Sequence, residues 1–308
     1  MVTRLYRHPV FAEHLTGLGH PERPERMAAV ERALDDARFA GLVRIEAPEG
    51  TVEAVCRCHP EQHVRRVAKA VPASGLARIE ADTLLSPRSF AAAFHGVGAA
   101  CAAVDDVAAG LADNVFVASR PPGHHATAEA AMGFCLFNNA AIAARHAQAA
   151  HGLERVAIVD WDLHHGNGTQ DIFWSDPTVF YASTHEMPLY PGTGGRHETG
   201  TGNVVNAPLA AGDGGTVFRE AFETRILPAL RAFRPDLVIV SAGFDAHRLD
   251  PLGHLELTEA DFDWATGRLM EIADRHAGGR LVSLLEGGYD LDGLGGSVAA
   301  HVARLMAG

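Results

Sequence analysis

The chain has 308 residues, of which 47% are hydrophobic and 21% charged, a balance that excludes a mostly disordered, collagen-like or coiled-coil protein. The formal net charge is −12 and Lys69 is the only lysine, so we expect no binding to nucleic acid, which needs a basic face. No run approaches about 18 consecutive apolar residues, so we expect no membrane span. Four cysteines without a paired CxxC pattern indicate a reducing compartment, and we predict a cytoplasmic protein.

Short apolar runs alternate with amphipathic stretches along the chain. The runs rich in Val and Ile indicate buried strands, and the amphipathic stretches indicate helices. This alternation predicts an α/β fold in which helices cover both faces of a parallel sheet, within a single domain that spans 1–308. In chain order, the predicted elements are helices 24–38, 61–70 and 89–109, strand 115–119, helix 138–148, strands 156–160, 178–183 and 203–209, helix 216–233, strand 237–242, helix 258–276, strand 281–285 and helix 297–306.

Polar and titratable residues follow four of the predicted strands, at the point where each strand ends. They are the His-His pair at 124–125, the segment 160–164, Asp245 and Tyr289. In open parallel sheets, ligands bind beyond the carboxyl ends of the strands. We therefore expect these side chains to lie at one rim of the sheet.

The segment 160–164 carries the strongest chemical signal. Asp160, Asp162 and His164 alternate with apolar residues, and side chains at i, i+2 and i+4 of an extended chain share a face. Two carboxylates at so short a distance repel each other unless a cation lies between them. Asp and His are suitable ligands for Zn²⁺. With Asp245 as a third ligand, the set would leave one position open, as catalytic zinc sites do. The alternative is a capping aspartate beside a surface histidine.

The His-His pair and Tyr289 supply groups for acid–base and oxyanion chemistry. A histidine near its ordinary pKa is a natural general base, and two in tandem could divide proton transfer and charge stabilisation. A phenol after Gly287 and Gly288 could donate a hydrogen bond to an oxyanion. The alternatives are an exposed histidine pair and an aromatic side chain that packs in a glycine-rich turn.

Six motifs together resemble those of the histone deacetylase superfamily, which includes acetylpolyamine amidohydrolases and acetoin-utilisation-type proteins. They occur in the family's order, and Trp161 and Asn167 are similar to the class II branch. The motifs are Gly-His-Pro-Glu-Arg-Pro-Glu-Arg (19–26), Arg-Pro-Pro-Gly-His-His-Ala (120–126), Gly-Phe-Cys-Leu-Phe-Asn-Asn (133–139), Val-Asp-Trp-Asp-Leu-His-His-Gly-Asn-Gly-Thr-Gln (159–170), Ser-Ala-Gly-Phe-Asp-Ala-His (241–247) and Glu-Gly-Gly-Tyr-Asp (286–290).

The resemblance implies a single-domain arginase/deacetylase fold around a central, mostly parallel eight-stranded sheet. It implies zinc and K⁺, and the mixed His and carboxylate ligands leave Fe²⁺ as the other candidate for the divalent metal. By the same resemblance, His125 is the general base and acid, His124 its electrostatic partner, and Tyr289 the ligand of the substrate carbonyl. The remaining implied residues are Asp160 beside His124, Asn167 beside His125, and the zinc ligands Asp162, His164 and Asp245.

The resemblance also implies a tunnel for the acyl chain and two sites for monovalent cations. The tunnel is lined by Gly133, Phe134, Tyr190 and Leu252. The first K⁺ site lies mostly among backbone carbonyls of Asp160, Asp162, His164, Ser183 and Thr184, and the second lies near Phe173, Asp176 and Val179.

The function that follows from the resemblance is hydrolysis of an N-acyl amide, such as that of acyl-lysine in a peptide. Leu252 stands where some polyamine-specific relatives carry glutamate, which favours acyl-lysine over an acetylpolyamine or another small acyl amide. Two further alternatives remain, a binuclear ureohydrolase of the arginase type and a non-catalytic protein that captures acylated ligands. The sequence leaves the oligomeric state open.

Overall fold

The computed structural model describes all 308 residues and contains one eight-stranded sheet, in which every pair of neighbouring strands is parallel. The predicted parallel sheet is therefore confirmed. The strands are β1 (Thr3–Arg7), β2 (Val43–Glu46), β3 (Ala77–Arg78), β4 (Leu84–Leu85), β5 (Asn114–Val117), β6 (Val156–Asp160), β7 (Val179–Glu186), β8 (Val204–Leu209), β9 (Leu237–Ala242) and β10 (Leu281–Leu285). Their order across the sheet is β2-β1-β5-β10-β9-β6-β7-β8, and β3 and β4 form a separate antiparallel pair.

Helices cover the sheet on both faces. All residues of β5, β6, β7, β9 and β10 are buried, as is typical of parallel strands between two helical layers. Helix α4 packs against α5, whereas α10 packs against both α1 and α9. The helices are α1 (Glu25–Leu34), α2 (Val52–Val55), α3 (Glu61–Ala70), α4 (Ser89–Ala108), α5 (Asn139–His151), α6 (Asn167–Phe173), α7 (Gly215–Ala221), α8 (Leu227–Phe233), α9 (Glu259–His276) and α10 (Leu291–Ala307).

Helix α4 is the one helix that is long and apolar enough to cross a membrane by length and composition. In its most apolar window, 67% of the residues are buried inside the molecule. The helix contacts β5 and β10 as well as α5, so its apolar surface forms part of the core.

Several predicted boundaries differ from the structure for local reasons. The predicted helix 24–38 ends at Leu34, and a short 3₁₀ turn follows at Ala37–Phe39. The last helix begins at Leu291 rather than at 297, because the Asp290 side chain caps it by accepting a hydrogen bond from the Gly293 amide at 2.7 Å. A π-helical turn at Phe222–Ile226 joins α7 to α8 within the predicted helix 216–233.

The strand register aligns the carboxyl ends of the central strands. Asp160 at the end of β6 pairs with Ser241 on β9 and with Ser183 on β7. Leu284 of β10 pairs with Ser241 on one side and with Val117 on the other. The segments that leave these strands therefore begin at the same edge of the sheet, where the predicted functional residues lie.

Candidate active site

Two carboxylates and one imidazole converge from two neighbouring strand ends. Asp162 and His164 follow β6, and Asp245 follows β9, its neighbour in the sheet. His164 Nδ1 lies 3.0 Å from Asp245 Oδ2 and 3.3 Å from Asp162 Oδ1. The ligand atoms of the three residues all lie within 4.8 Å of one another, and all three residues are buried. The structure thus brings together the side chains that the sequence predicts as zinc ligands.

The chemistry of these donors fits a divalent cation. Burial and the neighbouring charge of Asp162 raise the pKa of Asp245, because two ionised carboxylates repel each other away from water. A cation between them would remove that repulsion, and this donor set suits zinc. A Cβ at position 287 would lie 2.6 Å from Asp162 Oδ2 and closer still to Asp245 Oδ2, so glycine keeps this space open.

Backbone amides fix the orientation of both carboxylates. Asp162 accepts hydrogen bonds from the amides of Gly287 at 2.8 Å and His164 at 2.9 Å. Asp245 Oδ1 accepts a hydrogen bond from the Leu163 amide at 2.8 Å. Such surrounding hydrogen bonds hold ligands in the geometry that a metal needs and tune their basicity.

His124 is held as a cation by the carboxylates around it. Its Nδ1 donates to Asp160 Oδ2 at 2.9 Å, and the same oxygen accepts a hydrogen bond from Tyr181 Oη at 3.1 Å. Burial opposes a charge on the imidazole, but the nearby Asp162 and Asp160 carboxylates outweigh it and raise the pKa of His124 well above its ordinary value.

His125 is held neutral beside it. The two rings lie 4.0 Å apart between centroids, and His125 Nδ1 donates to Asn167 Oδ1 at 2.8 Å. Burial, followed by the charges of His124 and His164, lowers the pKa of His125 well below its ordinary value. Because the hydrogen on Nδ1 is used by Asn167, the lone pair of the neutral ring is on Nε2, where it can accept a proton.

A cavity of about 220 Å³ opens beside these residues. It reaches both His125 and His164, and more than half of its lining residues are hydrophobic. All four predicted tunnel residues line it. The lining residues are Asp82, His125, Gly133, Phe134, His164, Leu189, Tyr190, Leu252 and Tyr289.

The turn that carries Gly133 and Phe134 adopts left-handed backbone angles, with φ values of 55° and 68°. A Cβ at position 133 would collide with the ring of His125, so glycine is required there. For an aromatic residue such as Phe134 this conformation is unusual, and hydrogen bonds stabilise it. Asp82 accepts one from the Gly133 amide, and Thr83 Oγ1 accepts one from the Phe134 amide, each at 3.1 Å.

Tyr289 lies in the cavity wall, with its ring 5.9 Å from that of Phe134. Burial and then the charges of Asp245 and Asp162 raise the pKa of Tyr289 well above its ordinary value, so the phenol stays protonated. Its hydroxyl makes no hydrogen bond within the chain and is free to donate to a ligand in the cavity. The turn before it requires glycine, since Gly288 has a φ of 123° and a Cβ at this position would lie 2.9 Å from Leu294.

A known protein family matches almost the whole chain. The model of the histone deacetylase domain matches residues 20–305 of this chain. This chain belongs to the histone deacetylase family.

Relatives of this deacetylase chain share most of its length. Histone deacetylase 14, chloroplastic, of Arabidopsis thaliana is 41% identical over 308 residues, which cover 93% of this chain and 73% of that protein. The histone deacetylase-like amidohydrolase of Pseudomonas aeruginosa is 41% identical over 277 residues, which cover 88% of this chain and 73% of that protein. The crystal structure of the HDA15 HD domain is 38% identical, with a TM-score of 0.95, and the match covers 99% of this chain and 88% of that one. The chain is thus a deacetylase- or amidohydrolase-type hydrolase.

Several residues of the deacetylase site escaped the sequence analysis as functional positions. Glu286 Oε2 accepts hydrogen bonds from the amides of Gly123 at 2.6 Å and His124 at 3.2 Å, and so holds the loop of the histidine pair. Asp250 Oδ2 accepts one from the Tyr289 amide at 2.6 Å. Glu286 opens the motif at 286–290, but the role of each carboxylate depends on partners that are distant in sequence, so local pattern does not reveal it. The other residues that the analysis missed are Tyr181 beside Asp160, and Asp82 and Leu189 in the cavity wall.

The residues predicted for the first potassium site fit a monovalent cation. They lie beside the carboxyl end of β6, where Asp160 pairs with Ser183 of β7. No hydrogen-bond donor reaches the backbone carbonyls of Asp162 and His164, and Thr184 Oγ1 is buried without a partner. Ser183 Oγ contacts His185 Nδ1 at 2.9 Å. Unpartnered buried oxygens of this kind are suitable ligands for K⁺.

The residues predicted for the second potassium site do not fit the ion. The carbonyl oxygens of Phe173, Asp176 and Val179 do converge on one point, but each of them accepts a hydrogen bond from the side-chain amide of Asn203. The second K⁺ site therefore stays a prediction that these contacts do not support, because an amide nitrogen lies among the three carbonyls.

A second group of metal-type side chains lies far from the cavity, between α4 and α5. Asp105 Oδ1 accepts hydrogen bonds from His146 Nε2 and His151 Nε2, each at 2.6 Å. Arg57 donates to His146 Nδ1 at 2.6 Å, so the ring hydrogen of His146 lies on Nε2 and points at Asp105. The group is thus a hydrogen-bonded cluster at the surface, and it adds no ligand to the active site.

Proposed function

We propose that this chain is a zinc-dependent deacylase that hydrolyses the N-acyl amide of acyl-lysine or of a similarly extended acyl amine. The observation that carries the proposal is the position of the Asp162, His164 and Asp245 cluster at the cavity lined by Phe134, Tyr190 and Leu252. An apolar cavity of this kind suits the methylene chain of an acyl-lysine side chain.

A zinc ion held by Asp162, His164 and Asp245 would polarise the acyl carbonyl and acidify the water that attacks it. Fe²⁺ accepts the same mixed oxygen and nitrogen ligands. The residues of the chain would perform the remaining steps.

His125 would remove the proton of the attacking water through Nε2, since its Nδ1 is engaged by Asn167. Its lowered pKa keeps the ring available as a base at neutral pH. The same Nε2 would then pass the proton to the nitrogen of the leaving amine. The products would be a free amine and a carboxylate, with water consumed.

His124 and Tyr289 would stabilise the negative charge that develops on the carbonyl oxygen. His124 donates to the Asp160 carboxylate, which favours its protonated form, and its pKa is shifted in the direction opposite to that of His125. Tyr289 would donate its phenolic hydrogen to the oxyanion. Removal of one such donor typically lowers kcat by about 10²–10³.

One observation favours a second candidate function, the hydrolysis of acetylated polyamines. Asp82 lines the cavity. After burial, the negative charges of Asp82 and Glu80 contribute to the raised pKa of Tyr190, so both carboxylates lie near the rim. A negative rim attracts a substrate that carries a second amine. The hydrophobic Leu252 on the cavity wall favours the acyl-lysine reading instead.

A turnover screen on one metal-loaded preparation tests the proposal. Acetyl-lysine peptides, acetylated polyamines and other acyl amides are compared, and His125→Ala is purified in the same way as the control for contaminating hydrolases. We expect the acetyl-lysine peptides to be turned over fastest and the control to be inactive. Faster turnover of acetylpolyamines would favour the second candidate. Absence of turnover on every substrate would overturn both candidates and favour a non-catalytic binding protein.

A further inference from the structure

The side chain of Asn203 makes an unusual set of contacts just before β8. The residue is only 4% exposed. Its Nδ2 donates to the carbonyl oxygens of Phe173 at 2.8 Å, Asp176 at 3.0 Å and Val179 at 2.9 Å. A carboxamide nitrogen carries only two hydrogens, so at least one N–H is shared between two oxygens. Three carbonyl dipoles thus point at one atom.

The other end of the amide fixes its orientation. Asn203 Oδ1 accepts hydrogen bonds from the Thr201 amide and from Thr201 Oγ1, both at 3.0 Å. If the amide were reversed, its oxygen would face three carbonyl oxygens and its NH₂ group would face the Thr201 N–H. Donors and acceptors therefore match in one orientation only, and nitrogen lies among the carbonyls.

Three inward-pointing carbonyl oxygens form a partly negative pocket. Backbone carbonyls arranged in this way replace the hydration shell of a potassium ion in proteins. The NH₂ group carries a partial positive charge and satisfies the same oxygens without an ion. The Asn203 nitrogen, at 2.8–3.0 Å from each oxygen, leaves no room for a cation at the same point.

We infer that the Asn203 carboxamide replaces the second potassium ion that the family resemblance implies, so that this corner of the fold is held without a cation. The inference does not depend on the proposed reaction. It assigns Asn203 as a positioning residue for the segment 173–179, which joins α6 to β7 and contains all three carbonyls.

This segment connects the amide to the active site at both ends. Helix α6 ends at Phe173 and begins at Asn167, which contacts His125. Strand β7 begins at Val179 and carries Ser183 and Thr184 of the first potassium site. The amide therefore supports two elements that bear functional residues, and it does so in any salt.

Thermal unfolding in KCl and in tetramethylammonium chloride of equal ionic strength tests the inference, with the full-length chain in all cases. The variants are Asn203→Gly, which empties the pocket, and Asn203→Asp, which places a carboxylate beside the three carbonyls. Asn114→Asp is the matched control, since Asn114 is also a buried asparagine, whose Nδ2 donates to the single carbonyl of Leu305. Any response of the first site to K⁺ is common to all four proteins.

We expect both Asn203 variants to unfold several degrees below the wild type in tetramethylammonium chloride and to regain at least half of that loss in KCl. The Asn114→Asp control should lose stability without this additional recovery. Equal responses to K⁺ in the wild type and in both Asn203 variants would overturn the inference.

Anomalous scattering from wild-type crystals grown in RbCl gives a second test that does not depend on the folding of any variant. We expect no rubidium peak among the carbonyls of Phe173, Asp176 and Val179. A peak at that point, with the Asn203 amide turned away from it, would overturn the inference directly.

Discussion

His124 and His125 are neighbours in the chain, with ring centroids 4.0 Å apart, yet their surroundings move their pKa values in opposite directions. The difference arises from their surroundings, because the Asp162 and Asp160 carboxylates raise the pKa of His124, whereas burial and the charges of His124 and His164 lower that of His125. The partner of Nδ1 differs as well, with the Asp160 carboxylate beside His124 and the neutral Asn167 amide beside His125.

Asn167→Asp tests this division of roles. A carboxylate beside Nδ1 favours the protonated ring and raises the pKa of His125. Since His125 must be neutral to act as a base, the acidic limb of the pH profile of kcat/KM should move to higher pH. The profile is measured on an acetyl-lysine peptide, with Asn114→Asp, a buried change at the start of β5 beside Leu305, as the comparison. An acidic limb that stays in place would contradict the assignment of His125 as the base.

Tyr289→Phe tests the oxyanion role of the phenol. Its hydroxyl has no partner within the chain, so its loss should leave stability and metal content almost unchanged. We expect kcat on an acetyl-lysine peptide to fall by about 10²–10³. Full activity in this variant would remove Tyr289 from the mechanism.

The sequence predicted the residues that lie on regular spacing or in a recognisable motif. Asp160, Asp162 and His164 alternate at the end of a strand, so their shared face follows from the period of two. Glu286 and Asp250 act through backbone amides that are 163 and 39 residues away, respectively. Such contacts depend on the tertiary structure, and local pattern could not predict what these carboxylates hold.

At the scale of elements, the N-terminal end of α1 is tied to the active-site turns by a buried ion network. Glu22 contacts Arg26 at 3.0 Å and Arg120 at 2.7 Å, and all three side chains are fully buried. Arg26 also donates to the carbonyls of Glu286 at 2.5 Å and Gly288 at 2.6 Å. The network therefore holds the turn that precedes Tyr289.

Glu22→Gln should strongly destabilise the protein, because it leaves two buried guanidinium groups without a counter-charge. We expect a loss of about 3 kcal/mol in the free energy of unfolding, measured by urea denaturation. Glu31→Gln is the matched control, since its pair with Arg7 at 3.5 Å is exposed, and such pairs contribute at most about 1 kcal/mol. A loss no larger than that of the control would contradict a structural role for the network.

The same variant gives a prediction on pH. Burial alone would raise the pKa of Glu22, but Arg120 and His14 outweigh it and hold that pKa well below its ordinary value. Ionised Glu22 therefore stabilises the fold above the pKa of a glutamate carboxyl in the unfolded chain, about 4.3. This stabilisation is lost as the pH falls below that value. The difference in stability between the wild type and Glu22→Gln should narrow below that pH.

The elements themselves were predictable where one face or both faces are uniformly apolar. β6, β9 and β10 are mostly apolar, each with a single polar residue, and their predicted bounds match the structure. β1 and β2 were missed because arginines interrupt their short apolar patterns, and α6 was missed because it begins with an Asn-Gly pair of low helix propensity. The order of strands in the sheet depends on long-range pairing, which periodicity does not encode.

At the scale of the whole molecule, the parallel sheet explains why residues from four distant segments meet. Its central strands end in register, so the loops after β5, β6, β9 and β10 share one rim. The family model covers residues 20–305, which includes all of these loops. The fold class followed from the alternation of strands and helices, whereas the number of strands came from the family resemblance.

The central claim is that one divalent cation binds to Asp162, His164 and Asp245 and is required for turnover. The most direct measurement is the metal content per chain, by plasma mass spectrometry, of the wild type and Asp245→Ala, with circular dichroism to verify folding and acetyl-lysine turnover on the same samples. We predict one zinc or iron ion per wild-type chain, and loss of both metal and activity in folded Asp245→Ala. Two ions per wild-type chain, as an arginase-type centre needs, or wild-type metal content in Asp245→Ala would contradict the account.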